Sequence, residues 1–190
     1  GFCLMTLGTD TLGSIRIPAA YCGVAGIKPT TGLVSTRGIV PLSWSFDTVG
    51  PLAPKVQDLG LVLEVIAEFD PECTESKQSP VSYKFAPDSQ PSLVDVKLGR
   101  LANVDSWNVH PDMQGAFEAA VKDLAGAGAK IIEVYLPDYD FTRARRDSLV
   151  IVEAEGSVVH SEDLEKCPEK LSDDLVSLLK YGREVNVSRL

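Results

Sequence analysis

The chain has 190 residues, 44% of them hydrophobic and 24% charged, and a net charge of −9. That suffices for one domain with a packed core, or for part of a larger one. The acid excess repels a phosphate backbone, which argues against a nucleic-acid partner, and no apolar run reaches the roughly 20 residues a membrane-spanning helix needs.

The first element is the apolar run "FCLMTL" at 2–7, predicted as a fully buried strand. It has no basic leader and no initiating Met, so it reads as a strand entered midway. Residues 8–52 are dense in glycine and proline, which excludes long helices and predicts tight turns between short strands. Pro54 then opens a helix, with Val56, Leu59, Leu63, Val65 and Ile66 expected on one face. Residues 70–93 are polar and rich in proline and serine, as suits a surface connection.

A strand at 95–104, a helix at 111–129 closed by Gly126 and Gly128, and a strand at 130–136 follow. This β-α-β order predicts a parallel crossover. Two helical stretches, 143–166 and 172–181, complete the chain, with Ser172 as an N-cap and Gly182 as a stop. The acidic runs of the last third suit solvated helix faces. The fold class is therefore α/β, and residues 1–190 are expected to form a single, incomplete domain. The four cysteines form no CxxC pair and no Cys/His cluster with zinc spacing, so reduced thiols in a cytoplasmic protein and no metal are expected.

Chemistry concentrates at 8–20, "GTDTLGSIRIPAA". A serine hydroxyl needs a base and a set of donors for the oxyanion it creates. Gly13, directly before Ser14, lets consecutive N–H groups converge. The spacing is not the G-x-S-x-G elbow, because Leu12 and Arg16 occupy the outer positions. Two readings stand: a nucleophile in a donor-rich loop, or a polar turn braced by an Asp10–Arg16 ion pair. His110 and His160, the only histidines, would be the bases of a Ser-His-Asp arrangement. Each also suits a surface or capping role.

The stretch at 7–53 carries "GTDT-GSIRIPA" and "CG-AG-KPT-G-VS--G-VPLSWS-DTVGPLA". It resembles the amidase signature family, with "PLSWSFDTVGP" closer to stand-alone amidases. The resemblance continues more loosely to the end of the chain. It implies part of a mixed, mostly parallel sheet flanked by helices. It further implies hydrolysis of a small-molecule amide through a serine acyl-enzyme, with no cofactor. Ser14 takes the nucleophile's place, and the N–H groups of Thr11, Leu12, Gly13 and Ser14 the oxyanion hole. Asp10, Arg16 and Asp47 take loop-bracing places, and Cys22 that of a buried cysteine. A homodimer of the full-length protein is compatible with the family. So is the glutamine-amidase component of a transfer-RNA-dependent amidotransferase.

Two departures qualify these expectations. The family's base is a lysine acting through a second serine in a cis peptide, both upstream of the nucleophile. No Gly/Ser-rich stretch of that kind occurs here, and Lys28 and Lys55 match downstream positions. The expectation is an internal slice of a longer enzyme, inactive by itself, with a non-catalytic degenerate protein as the rival. Leu12 also stands where the family usually has glycine. A positive φ there would strain it by roughly 1–3 kcal/mol.

Overall fold

The computed structural model describes residues 2–77, 84–85, 92–102, 109–136 and 139–185. The chain forms two compact units, residues 1–87 with 145–190, and residues 88–144.

In the first unit, β1 (Thr6–Asp10), β3 (Thr48–Ala53) and β2 (Ala25–Gly26) form an antiparallel sheet in the order β1-β3-β2. The register pairs Asp10 with Thr48, Thr6 with Leu52 and Ala25 with Ala53. The central strand β3 is buried along nearly its whole length. Between β1 and β2 lies the short helix α1 (Arg16–Cys22). Helix α2 (Val56–Ile66) buries Leu59, Val62 and Leu63. Leu63 packs with Val34 and Val49 into the core, and Ile27, Leu33, Ile39 and Ile66 surround them.

Two expectations change here. The run at 2–7 is not a buried strand. The strand begins at Thr6, and Phe2, Leu4, Met5 and Leu7 are exposed. Strand β1 lies at the edge of its sheet, with β3 as its only strand partner among the described residues. The buried face of α2 also differs from the expected one. Val56 and Val65 are exposed while Val62 is buried. At about 100° per residue, Val65 lies on the side of the helix opposite Leu63.

The first unit also holds most of α4 (Phe141–Val159), then α5 (Ser161–Lys166), a 3₁₀ turn at Pro168–Lys170 and α6 (Asp173–Glu184). The stretch at 143–166 is thus two helices, separated at His160. Ser172 caps α6, its Oγ accepting from Leu175 N–H at 3.3 Å. Gly182 is no stop: α6 runs through it, and it is buried. A Cβ there would overlap the carbonyl carbon and oxygen of Glu153 on α4, so the glycine is kept for the close approach of two backbones. Gly182→Ala is expected to destabilise the fold by about 3 kcal/mol through overpacking. Urea denaturation checks this, and an unchanged midpoint would mean that α4 and α6 separate freely.

In the second unit, β4 (Lys97–Leu101) and β5 (Lys130–Val134) pair in parallel, with α3 (Pro111–Gly126) between them in sequence. This is the predicted β-α-β crossover. Pro111 sits at the first turn of α3, and the His110 ring accepts from Asp112 N–H at 3.3 Å. Arg100 of β4 pairs with Glu118 of α3 and Glu133 of β5. The last residues of the strand predicted at 95–104 lie outside the described residues.

Candidate active site

Strand β1 delivers Asp10 to the floor of the loop. Its side chain is fully buried, and four groups of the following turn converge on it. Asp10 Oδ1 accepts from Gly13 N–H at 2.7 Å, and Oδ2 from Ile15 and Arg16 N–H at 3.2 and 3.3 Å. The Arg16 guanidinium closes a fork, Nε on Oδ2 and Nη2 on Oδ1, both at 3.0 Å. A paired, bidentate carboxylate is the form in which a charge tolerates burial. Burial by itself pushes this carboxyl up. The Arg16 fork and the three backbone donors outweigh that and lower it from 3.8 to about 2. The bond to Asp10 in turn raises Arg16.

Asp10 also supplies what α1 lacks. Ile15 at the N-cap offers no side-chain acceptor, so the carboxylate takes the N–H groups of Ile15 and Arg16 where the helix starts. Gly13 has φ +132°, and a Cβ on it would stand 2.7 Å from Ile17 Cδ1. Gly13 and Ile15 are buried, Ile15 completely, whereas Ser14 between them is exposed. The loop is pinned on both sides of the serine and presents its hydroxyl outward. Among the described residues, Ser14 Oγ makes no hydrogen bond.

The loop departs from one expectation and answers one open condition. The Gly13 N–H, assigned to an oxyanion hole, is occupied by Asp10 Oδ1, because the carboxylate lies directly beneath the turn. Leu12 carries no positive φ. The left-handed strain falls on Gly13, where it costs little, and the leucine side chain is directed to solvent, 40% exposed.

Asp47, just before β3, grips the loop from the other side. Its Oδ1 accepts from Thr11 Oγ1 at 2.6 Å, and its Oδ2 from Leu42 and Ser43 N–H at 2.7 and 2.9 Å. Beside Asp47 a cleft of about 280 Å³ opens, lined in part by Thr36, Ile39, Trp44, Cys73 and Glu75. Cys73 is the buried cysteine, not Cys22. Cys22 ends α1 on its exposed side, and its position in the last helical turn leaves the thiol uncovered. Burial pushes the Cys73 thiol up, but bonds from Thr36, Ser35 and Glu75 bring it below the ordinary value.

Each histidine has structural partners. His110 caps α3. Both ring nitrogens of His160 are engaged, Nδ1 with Asp163 at 3.0 Å and Nε2 with the Pro41 carbonyl at 2.9 Å. Lys28 Nζ donates to the Pro29 carbonyl at 2.8 Å. Sequence reasoning gave no role to Glu155, nor to Ser43 and Ser45 inside the quoted "PLSWS" stretch. Glu155 of α4 is buried and accepts from Ser43 Oγ, Ser45 Oγ and Ser45 N–H. An acid at an apolar position of a helix, in "VEAEGSVV", was the available signal. Its partners, over 100 residues away, left none. Among the described residues no group of three or more His, Cys, Asp or Glu side chains is placed to hold a metal. No described helix is long and apolar enough to cross a membrane.

A profile of the amidase family matches residues 1–186. The chain belongs to the amidase family. It is 34% identical over 179 residues to an amidase of Pseudomonas putida, covering 94% of this chain and 38% of that protein. It is 40% identical over 139 residues to a glutamyl-tRNA(Gln) amidotransferase subunit from Thermosynechococcus vestitus, covering 73% of this chain and 29% of that one. A solved amidase aligns with a TM-score of 0.76 at 30% identity, over 97% of this chain and 38% of its own. The α/β fold is therefore that of amidase signature enzymes. The chain spans about a third of the length of the curated relatives it matches.

Proposed function

We propose that the full-length protein hydrolyses a carbon–nitrogen amide bond through an acyl-enzyme on Ser14. The observation that carries this is the loop itself: an exposed serine between two buried residues, on a turn locked by a buried carboxylate. Ser14 Oγ attacks the amide carbonyl while a base takes its proton. The C–N bond breaks, the amine leaves with that proton, and water releases the acid. The N–H groups of Thr11, Leu12 and Ser14 are the proposed donors to the oxyanion, while Asp10, Arg16 and Asp47 hold the loop. The base is the family's lysine acting through a second serine, supplied from outside residues 1–190. The engagement of both His160 nitrogens supports this over a histidine base.

An acyl-enzyme partitions between water and added nucleophiles. With hydroxylamine present, turnover of a simple primary amide is expected to yield the hydroxamate, measured as its iron complex. Free acid alone, at undiminished turnover, would exclude the acyl-enzyme. A full-length protein that turns over no amide would leave the degenerate, non-catalytic reading.

The second reading, the glutamine-amidase component of a transfer-RNA-dependent amidotransferase, is favoured by the 40% identity to the Thermosynechococcus vestitus protein. It requires ammonia release from glutamine, whereas a stand-alone amidase acts on simple amides without a partner.

A further inference from the structure

We propose that Glu155 is a positioning residue for the Ser14 loop, acting through Ser43, Ser45 and Asp47. The proposal rests on the reading of Ser14 as nucleophile. A continuous path of hydrogen bonds joins α4 to the first residue of that loop. Glu155 Oε2 accepts from Ser43 Oγ at 2.5 Å and Ser45 N–H at 3.1 Å, and Oε1 accepts from Ser45 Oγ at 2.5 Å. Ser43 N–H donates at 2.9 Å to Asp47 Oδ2. Asp47 Oδ1 receives Thr11 Oγ1 at 2.6 Å, and Thr11 is directly bonded in the chain to Asp10, the floor of the loop. The segment between is a closed turn, Phe46 and Asp47 N–H both donating to the Ser43 carbonyl at 3.2 and 2.8 Å. His160, at the end of α4, fixes the same segment again through the Pro41 carbonyl.

Every bond to Glu155 and Asp47 in this path ends on a carboxylate, so each is of the stronger, charge-assisted kind. The segment at 41–47 cannot slide along α4 without leaving a buried charge unsatisfied. A buried carboxylate is a poor device for stability alone, since an apolar side chain of similar size does as well. What it adds is a single permitted geometry. Glu153, two residues earlier on α4, shows the contrast. It too is buried, yet its carboxylate has no donor among the described residues, and burial pushes it up. Glu155 has three donors, all from the segment that holds Thr11. A nucleophile misplaced by about 1 Å costs up to about a hundredfold in rate, so the path transmits into turnover.

The test uses two variants of the full-length protein. Glu155→Gln keeps the volume and removes the charge. Ser45→Ala cuts one bond at an exposed position and leaves the fold intact. Amide hydrogen exchange over 13–16 reads the loop directly, because Gly13, Ile15 and Arg16 N–H are protected by Asp10. Both variants are expected to exchange these amides faster. They should also lose about tenfold in kcat at unchanged KM, measured well below the melting temperature. A merely structural role would lower the melting temperature and leave both readouts as in wild type, which would overturn the proposal. Faster exchange with unchanged kcat would overturn it equally. Wild-type protein that hydrolyses no amide would refute the function proposed above. The exchange rates would then still decide whether Glu155 holds the loop.

Discussion

Ser14→Ala is expected to reduce amide hydrolysis by the full-length protein by about three to six orders of magnitude, as loss of a nucleophile does elsewhere. The fold should be unaffected. Ser14 is exposed, and its hydroxyl bonds to no described residue. Its neighbours Gly13 and Ile15 carry the turn's structural role through φ +132° and complete burial. The melting temperature should therefore stay within the range of ordinary surface substitutions, a change of about 0.5 kcal/mol or less. Steady-state hydrolysis beside a thermal melt separates the two effects. Unchanged turnover would refute the nucleophile. A large loss of stability would favour the polar-turn reading, in which the serine serves the loop and not the substrate.

Asp10→Asn acts on the other side of that loop, and its effect is on stability as well as rate. The amide keeps the shape but loses the charge that faces Arg16 and three backbone N–H groups. Asp10 is buried but Arg16 is about half exposed, so the loss is that of charge-assisted bonds to one buried carboxylate, about 2 kcal/mol. The pH dependence has a definite sign. The folded carboxyl sits at about 2 against an ordinary 3.8, so the folded state holds its proton less tightly than the unfolded state. The stabilisation, about 2 kcal/mol by linkage, is complete above about pH 4. It is lost as the pH falls through about 2. Urea melts between about pH 7 and pH 2 should show wild type losing this increment, whereas the variant, with nothing to titrate at 10, falls less steeply. Equal acid sensitivity would mean that Asp10 is not the group responsible. Turnover should fall too, because Asp10 fixes Gly13, Ile15 and Arg16 around Ser14.

The two predictions draw on different kinds of information. The loop from Asp10 to Arg16 is local in sequence. Its ion pair spans six residues, its glycine precedes its serine, and its acceptor begins it. Such a motif can be read from the chain because the atoms that meet are already close along it. The same holds for the Ser172 cap and for the β-α-β order of 95–136, where periodicity and breakers act over a few residues. Local reading failed where a neighbour was needed. Gly182 looks like a helix stop until the Glu153 backbone is seen against it. Cys22, expected to be buried, is exposed, while Cys73 is buried, because the sequence shows how apolar a residue is but not what covers it. The run at 2–7 is apolar enough for a core strand, and still lies exposed.

The sequence by itself determined the α/β class and the Asp10–Arg16 brace, because short-range chemistry specifies a turn with few alternatives. For Ser14 it left two readings, and only the resemblance to the amidase signature family put that serine in the nucleophile's place. Only the tertiary structure decided which N–H groups of that turn are already occupied and that Leu12 is unstrained. It alone brought Glu155 to Ser43, 112 positions away in the chain. Contacts at that separation carry no local signature. They arise from packing α4 against the 41–47 segment, which fixes both ends of a bond that neither end announces.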